Sequence, residues 1–134
     1  MKRFKTISLT TLIALTMACG YSSKPAAPPV AGTMPTIAQL NPDSATAGGE
    51  TFTLTVTGTN FGAEAVVNWN GVAQTSNTTF VSGTEVTVAV PASAIMTAGT
   101  IQITVTNPAT TGTGPYGSGG TSAATSSPMA FTIN

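Results

Sequence analysis

Few side chains in this chain of 134 residues could carry out acid–base or nucleophilic chemistry. The chain has no histidine, so its many serine and threonine hydroxyls lack the usual base that would activate a nucleophile. The carboxylates all fall in or beside predicted turns, or at a strand start: Asp43, Glu50, Glu64 and Glu85. A glycosidase holds two carboxyl groups ~5–10 Å apart in one cleft, and this spacing pairs none of them. We therefore predict solvated surface charges and no enzyme activity.

Metal and cofactor chemistry has equally little support in the composition. Cys19 is the only cysteine, so the sequence offers neither an intramolecular disulfide nor a Cys/His metal site. Asp43 with turn carbonyls is an open alternative for calcium, but such sites usually collect several carboxylates. We predict no metal and no cofactor.

The charge distribution argues against nucleic acid as a partner. Lys2, Arg3 and Lys5 lie at the extreme N-terminus, and after Cys19 one lysine faces four carboxylates, a net charge of −3. Such a body cannot neutralise a row of phosphates, so we expect no nucleic-acid binding.

Two aromatic residues are candidates for ligand contacts. Trp69 could be a platform for stacking sugars, but its alternation with Val67 places it on the inward face of a strand and favours packing in the core. Tyr116 lies in the Gly/Ser/Thr-rich segment 109–127, which is long for a loop in a compact domain. We take Tyr116 as the candidate ligand contact.

The first 18 residues predict an export signal. A basic start precedes a mostly apolar run, Ile7–Ala18, whose 12 residues are too few for the roughly 20 of a membrane-spanning helix. The alternative is an amphipathic or buried helix of a cytosolic protein. Residues 19–34 carry Pro25, Pro28 and Pro29 without apolar periodicity, which predicts a semi-rigid tether.

The signal ends in Leu15-Thr16-Met17-Ala18-Cys19-Gly20, which resembles a bacterial lipobox. The resemblance implies that Cys19 becomes the N-terminus and carries a diacylglycerol thioether. Thr16 departs from the pattern, because leucine is usual there. Gly20 in place of aspartate implies the outer membrane if the cell has two membranes. The alternative is an ordinary exported, secreted protein with an incidental cysteine.

Strand signals follow one another from residue 35 onward. In Thr51–Thr57 the apolar residues alternate with threonines, and Asn70-Gly71 predicts a type I′ hairpin turn. Eight short strands are predicted, at 37–40, 51–57, 65–70, 72–75, 79–81, 85–90, 100–106 and 130–133. A helical turn is expected within 92–98, turns at 58–62, and one long loop at 109–127. This pattern favours an all-β, immunoglobulin-like sandwich of seven to eight short strands.

Several of these pieces, taken in order, resemble the IPT/TIG domain. They are Pro35-Thr36-Ile37, Leu40-Asn41-Pro42, Gly48-Gly49, Val56–Phe61, Val67–Gly71, Thr100–Pro108 and Phe131-Thr132-Ile133. The resemblance covers 35–134 and implies the immunoglobulin-like fold of plexins, some transcription factors and bacterial surface proteins. It implies binding or spacing and not catalysis. The long loop at 109–127 departs from the family pattern.

The combined expectation is a non-catalytic cell-envelope lipoprotein. It would be anchored to the membrane through lipid on Cys19 and would display a single IPT/TIG domain to an extracytoplasmic protein or glycan. Two alternatives stay open: a carbohydrate-binding accessory module that uses Tyr116, and a structural subunit that associates through its sheet edges.

Overall fold

The computed structural model describes residues 32–112 and 119–134. These residues form ten strands and one short 3₁₀ helix, Ala92–Ile95. The strands are, in chain order, β1 (Thr36–Asn41), β2 (Ser44–Ala45), β3 (Phe52–Thr59), β4 (Val66–Trp69), β5 (Val72–Ala73), β6 (Thr78–Ser82), β7 (Glu85–Val90), β8 (Gly99–Asn107), β9 (Ala124–Thr125) and β10 (Met129–Ile133).

The strands form two sheets that enclose one core. The first sheet has the order β1-β3-β7-β6, and the second has the order β2-β10-β8-β4-β5, with β9 paired to the end of β8. The predicted all-β, immunoglobulin-like sandwich is thereby confirmed. Each of the eight predicted strands is present, while the two-residue strands β2 and β9 were not predicted.

Period-two alternation fills the core, as the sequence predicts. In β3, Leu54 and Val56 are buried and lie opposite Val88 and Val86 of β7. The core residues come from both sheets and their connections: Leu40, Leu54, Val56, Phe61, Ala65, Val67, Trp69, Val86, Val88, Val90, Ile95, Ile103, Val105, Phe131 and Ile133. The predicted core position of Trp69 is confirmed, with its ring centroid 5.3 Å from that of Phe131.

The predicted hairpin turn is confirmed by its backbone angles. Asn70 and Gly71 have φ of 50° and 83°, the left-handed values that a type I′ turn needs at both central positions. They connect β4 to β5, where Trp69 lies opposite Val72.

The predicted turn at 58–62 begins later than expected, because β3 continues through Thr59. Gly58 is a strand residue at which β1 approaches too closely for a side chain. A methyl group there would collide with the carbonyl oxygen of Thr36 and lie 2.7 Å from Cζ of Phe61. The chain turns at Asn60, whose φ is 62°.

The prediction of one continuous loop from 109 to 127 is wrong in its described parts. Thr110 and Thr121 form a bridge, and β9 pairs with Thr106 and Asn107 of β8. β9 thus pairs along the last two residues of β8, and the bridge lies beyond the end of that strand. We call residues 108–112 and 119–125 the arm.

Ser126 joins the arm to β10 and is the buried polar side chain of the described core. Its amide donates to the carbonyl oxygen of Val105 at 2.8 Å, and its hydroxyl accepts from the Val105 amide at 2.9 Å. β8 pairs first with β10 and then with β9, and Ser126 lies between these two pairings. There its hydroxyl takes the place of a backbone carbonyl as the acceptor for β8. Because Val105 is fully buried, its amide would otherwise lack a partner.

Candidate functional site

Both predicted site residues lie outside the described residues. Cys19, the predicted lipid attachment, and Tyr116, the candidate ligand contact, fall within 1–31 and 113–118. The predicted signal peptide and most of the predicted tether also lie outside the described residues. Lipidation of Cys19 and ligand contact by Tyr116 therefore stay predictions. In the described ranges, no helix combines the length and apolarity needed to cross a membrane.

The four carboxylates are spread over the domain. Asp43, Glu50 and Glu64 are exposed, Glu85 is half-buried on β7, and the Ser44 hydroxyl donates to Oδ1 of Asp43 at 3.2 Å. Within 32–112 and 119–134, no three His, Cys, Asp or Glu side chains gather where they could hold a metal ion. The alternative of a calcium site at Asp43 therefore finds no carboxylate cluster in the described part.

A cleft of about 400 Å³ opens at the end of the sandwich where β3 and β8 finish. Its walls come from three segments that are far apart in sequence: Gly32 and Thr33, the turn 60–64, and the arm with the end of β8. The sequence did not predict this cleft, because two of its three walls lie in segments read as tether and loop.

Asn107 holds the three walls together. Its Oδ1 accepts from the Gly62 amide at 2.8 Å, and its Nδ2 donates to the carbonyl oxygens of Asn60 at 2.8 Å and Thr33 at 2.9 Å. Asn60 reaches in turn across to the tether, donating from Nδ2 to the Met34 carbonyl at 3.4 Å. The tether segment Gly32–Met34 is thus bonded to the strand ends of both sheets.

The arm contacts the tether from the other side. Thr110 and Thr121 exchange backbone hydrogen bonds of 2.9 and 3.1 Å, and their hydroxyls lie 2.9 Å apart. One residue further on, the Ser122 hydroxyl accepts from the Gly32 amide at 3.4 Å. Packing therefore extends upstream of Pro35, and part of the segment predicted as a loop forms a wall against the tether. We call this arrangement around Gly32–Met34 the tether clamp.

The cleft can offer hydroxyls, amides, backbone carbonyls and the exposed carboxylate of Glu64. Residues 32–134 contain no lysine, arginine or histidine, so no cation there could attract a phosphate. The polar atoms of Asn107 are already used within the protein. These walls suit a neutral, hydroxyl-bearing ligand better than an anion.

A second pocket of about 180 Å³ lies between the sheets beside β4 and β7. Trp69, Val88, Val90, Pro91 and Ala94 line it, with Gln74. Trp69 is only 8% exposed, so it offers an edge and not an open stacking face. The hypothesis of Trp69 as a sugar platform is therefore disfavoured, in keeping with its predicted core position.

Sequence reasoning missed Asn107 and Ser126, the residues that organise this end of the molecule. Asn107 follows the predicted strand 100–106 and precedes a proline, and this local pattern indicates the end of a strand but none of its contacts. The partners of Asn107 lie 45, 47 and 74 residues away, so no local pattern could reveal them. Ser126 stands in a run of Ser, Thr and Ala that looks alike throughout.

The fold and its continuous core define an immunoglobulin-like β-sandwich. The model of the IPT/TIG domain family matches residues 35–132, and the chain belongs to this family. Its members are generally non-catalytic interaction modules. Neither a curated protein nor a solved structure matches the chain significantly.

Proposed function

We propose that this chain is a cell-envelope lipoprotein that displays its single IPT/TIG domain as a non-catalytic module for binding an extracytoplasmic protein. The lipid on Cys19 anchors it to the membrane, the tether carries the domain away from the surface, and the sandwich presents its sides to partners. If the cell has two membranes, the anchor lies in the outer one.

The tether clamp is the observation that carries this proposal. Asn107, Asn60 and Ser122 bind Gly32–Met34 at one end of the sandwich. A domain whose linker is bonded to both sheets is held in a defined direction relative to that linker, which suits display from an anchored N-terminus. The dispersed carboxylates and the absence of basic residues after Lys24 favour binding without catalysis or nucleic acid.

The anchoring is tested by Cys19→Ser in the full chain, with Ser22→Ala as the matched control. We expect the wild type and Ser22→Ala to sediment with membranes and to incorporate a labelled fatty acid. Cys19→Ser should lose the label and leave the membrane fraction. Retention of Cys19→Ser in membranes would reject the lipid anchor.

A second candidate, a carbohydrate-binding module, is favoured by the neutral hydroxyl- and amide-lined walls of the 400 Å³ cleft. A glycan array probed with the full chain would test it, with Tyr116→Ala as the variant and Tyr21→Ala as the control. Binding that is lost in Tyr116→Ala alone would support this candidate. A blank array, or a signal that both variants retain, would leave the protein-binding proposal preferred.

A further inference from the structure

The two lateral sides of the sandwich protect their edge strands differently. β1 is the first strand of its sheet, and it is preceded by Pro35, followed by Pro42 and interrupted by a bulge between Ile37 and Gln39. Prolines and bulges are common means of preventing an edge strand from pairing with another chain. β6 also has a bulge, so it is the two flanking prolines that close this side to strand addition.

The opposite side carries β6, which has no such prolines. Its sequence, Thr78-Thr79-Phe80-Val81-Ser82, holds no charge and consists of residues that favour strands, apart from the last. It has one bulge, at Val81. Phe80 is 39% exposed and Val81 53%, and Val72 of the neighbouring edge strand β5 is 63% exposed. An uncharged edge with exposed large apolar side chains is a template for pairing with another strand.

We propose that a second copy of this chain binds here, joined edge to edge along β6 so that the first sheets of the two copies form one continuous sheet. This pairing rests on the proposed function for its biological setting. Molecules anchored in one membrane meet at high local concentration, and this favours a weak contact between copies.

The hydrogen bonds of β6 define which part of the edge is open. The Ala89 amide donates to the Asn77 carbonyl, and Thr79 lies opposite Thr87, so the backbone groups of Asn77 and Thr79 face β7. Because these directions alternate along a strand, the groups of Thr78 and Phe80 face outward. The Thr78 amide already donates to the Gln74 carbonyl at 2.9 Å. Beyond the bulge, Ser82 lies opposite Glu85, which faces β6 in the same phase as Thr87, so Phe80 is the open residue.

An antiparallel two-fold arrangement centred on Phe80 satisfies this edge. Each Phe80 amide would donate to the Phe80 carbonyl of the other copy, and the two side chains would lie opposite each other. Phe80 pairs with buried Val86, so both rings would lie on the core side of the extended sheet. A cross-strand aromatic pair of this kind stabilises a sheet.

Charge and area both fit a second copy that binds weakly. β5 and β6 contain no charged residue, and Glu85 lies on β7, on the far side of β6 from the new partner, so like charges do not meet. The paired edge is a single strand of five residues, and we expect it to bury less than the roughly 800 Å² per partner of a stable complex. We therefore expect dissociation constants on the order of 0.1–1 mM in solution.

Sedimentation velocity on the full chain carrying Cys19→Ser tests the pairing without lipid. We expect the mass of this chain to rise toward that of a dimer up to about 1 mM. Val81→Lys should weaken the association by about tenfold or more, because it places a charge on the edge that the second copy would cover. Phe80→Lys should do the same, and Ala38→Lys on β1 should leave it unchanged. Circular dichroism confirms that each variant is folded.

A chain that stays monomeric at about 1 mM would overturn the proposal, as would a dimer that survives both β6 substitutions. Equal loss from Ala38→Lys and Val81→Lys would also overturn it, because the contact would then not be specific to this edge. None of these outcomes bears on whether Cys19 carries lipid, since that residue is replaced in every sample. Conversely, a failed membrane test of Cys19→Ser leaves the edge contact standing.

Discussion

The two sheets bury the same kind of apolar face but hold their strands together differently. In the first sheet, β3 and β7 pair through six consecutive residue pairs, from Phe52 with Val90 to Thr57 with Glu85. In the second, β8 pairs with β10 and then with β9, and the Ser126 hydroxyl spans the interruption. The first sheet therefore depends on backbone approach and alternation, whereas the second depends also on individual polar side chains.

This difference predicts where substitutions are costly. Polar side chains on the outer face of the first sheet should be replaceable. Residues at points where two backbones approach closely should not be. In the second sheet and at its end, single hydroxyl and amide groups should matter, because each one satisfies buried or distant backbone groups.

The largest effect is expected at Gly58, in the first sheet. Gly58→Ala places a methyl group against the Thr36 carbonyl and the Phe61 ring, so β1 must move away from β3. We expect the free energy of unfolding to fall by about 3 kcal/mol, measured by urea denaturation. Gly83→Ala is the control, because its methyl would meet only the Phe61 carbonyl oxygen at 3.8 Å. Similar losses from both variants would show that the approach of β1 is not the cause.

Ser126→Ala should give the next largest loss. The buried Val105 amide loses its acceptor, which we expect to lower the free energy of unfolding by about 1–3 kcal/mol. Ser127→Ala, at the exposed neighbouring position, should change it by less than about 0.5 kcal/mol. Amide hydrogen exchange at Val105 would report the lost bond directly. Unchanged protection there would contradict the bridging function of Ser126.

Two substitutions at Asn107 distinguish its hydrogen-bond acceptor from its donors in the tether clamp. Asn107→Ala removes the bonds to Gly62, Asn60 and Thr33 and should cost about 1–2 kcal/mol. Asn107→Asp keeps an acceptor for the Gly62 amide but loses both donors. We expect Gly62 to stay protected from hydrogen exchange in Asn107→Asp and to lose protection in Asn107→Ala.

Proteolysis gives a second measurement of the same clamp. In both Asn107 variants, cleavage near Thr33–Met34 should become faster, because the Thr33 carbonyl loses its bond. Asn77→Ala is the control, since the Asn77 side chain bonds only to nearby Gln74 in the described structure. Equal cleavage rates in all variants would mean that Asn107 does not fix the tether.

The smallest difference in the free energy of unfolding is expected between substitutions on the outer faces of the two sheets. Asn68 of β4 donates to the hydroxyls of Thr104 at 2.9 Å and Thr106 at 2.8 Å on β8. Asn68→Ala should cost about 1 kcal/mol. Thr53→Ala, at an exposed position of β3, should stay within about 0.5 kcal/mol. If Thr53→Ala proved the costlier, the contrast between the sheets would fail.

The sequence predicted most of the first sheet because its information is local. Alternation in 51–57 and 85–90 identifies both strands and their inward residues, and Asn70-Gly71 identifies the hairpin of the second sheet. Strands β2 and β9 escaped prediction because two residues carry no periodicity. The end of β3 was misplaced because Gly58 resembles a turn residue, although its real constraint is the approach of Thr36.

The cleft and the tether clamp could not be predicted from such local patterns. The hydrogen bonds that hold Gly32–Met34 join residues separated by 26 to 90 positions, and the side chains that make them are those of Asn and Ser, which occur throughout the chain. The proposed lipid on Cys19 and the contact at Tyr116 rest on sequence alone, since both residues lie outside the described ranges.

The tether clamp also has a mechanical consequence. Asn60 follows a strand of the first sheet and Asn107 ends a strand of the second, and both hold Gly32–Met34. A pull transmitted through the linker would therefore load both sheets at once and would not peel β1 away by itself. In single-molecule stretching, Asn107→Ala should lower the force at which the chain first yields; an unchanged force would place the load elsewhere.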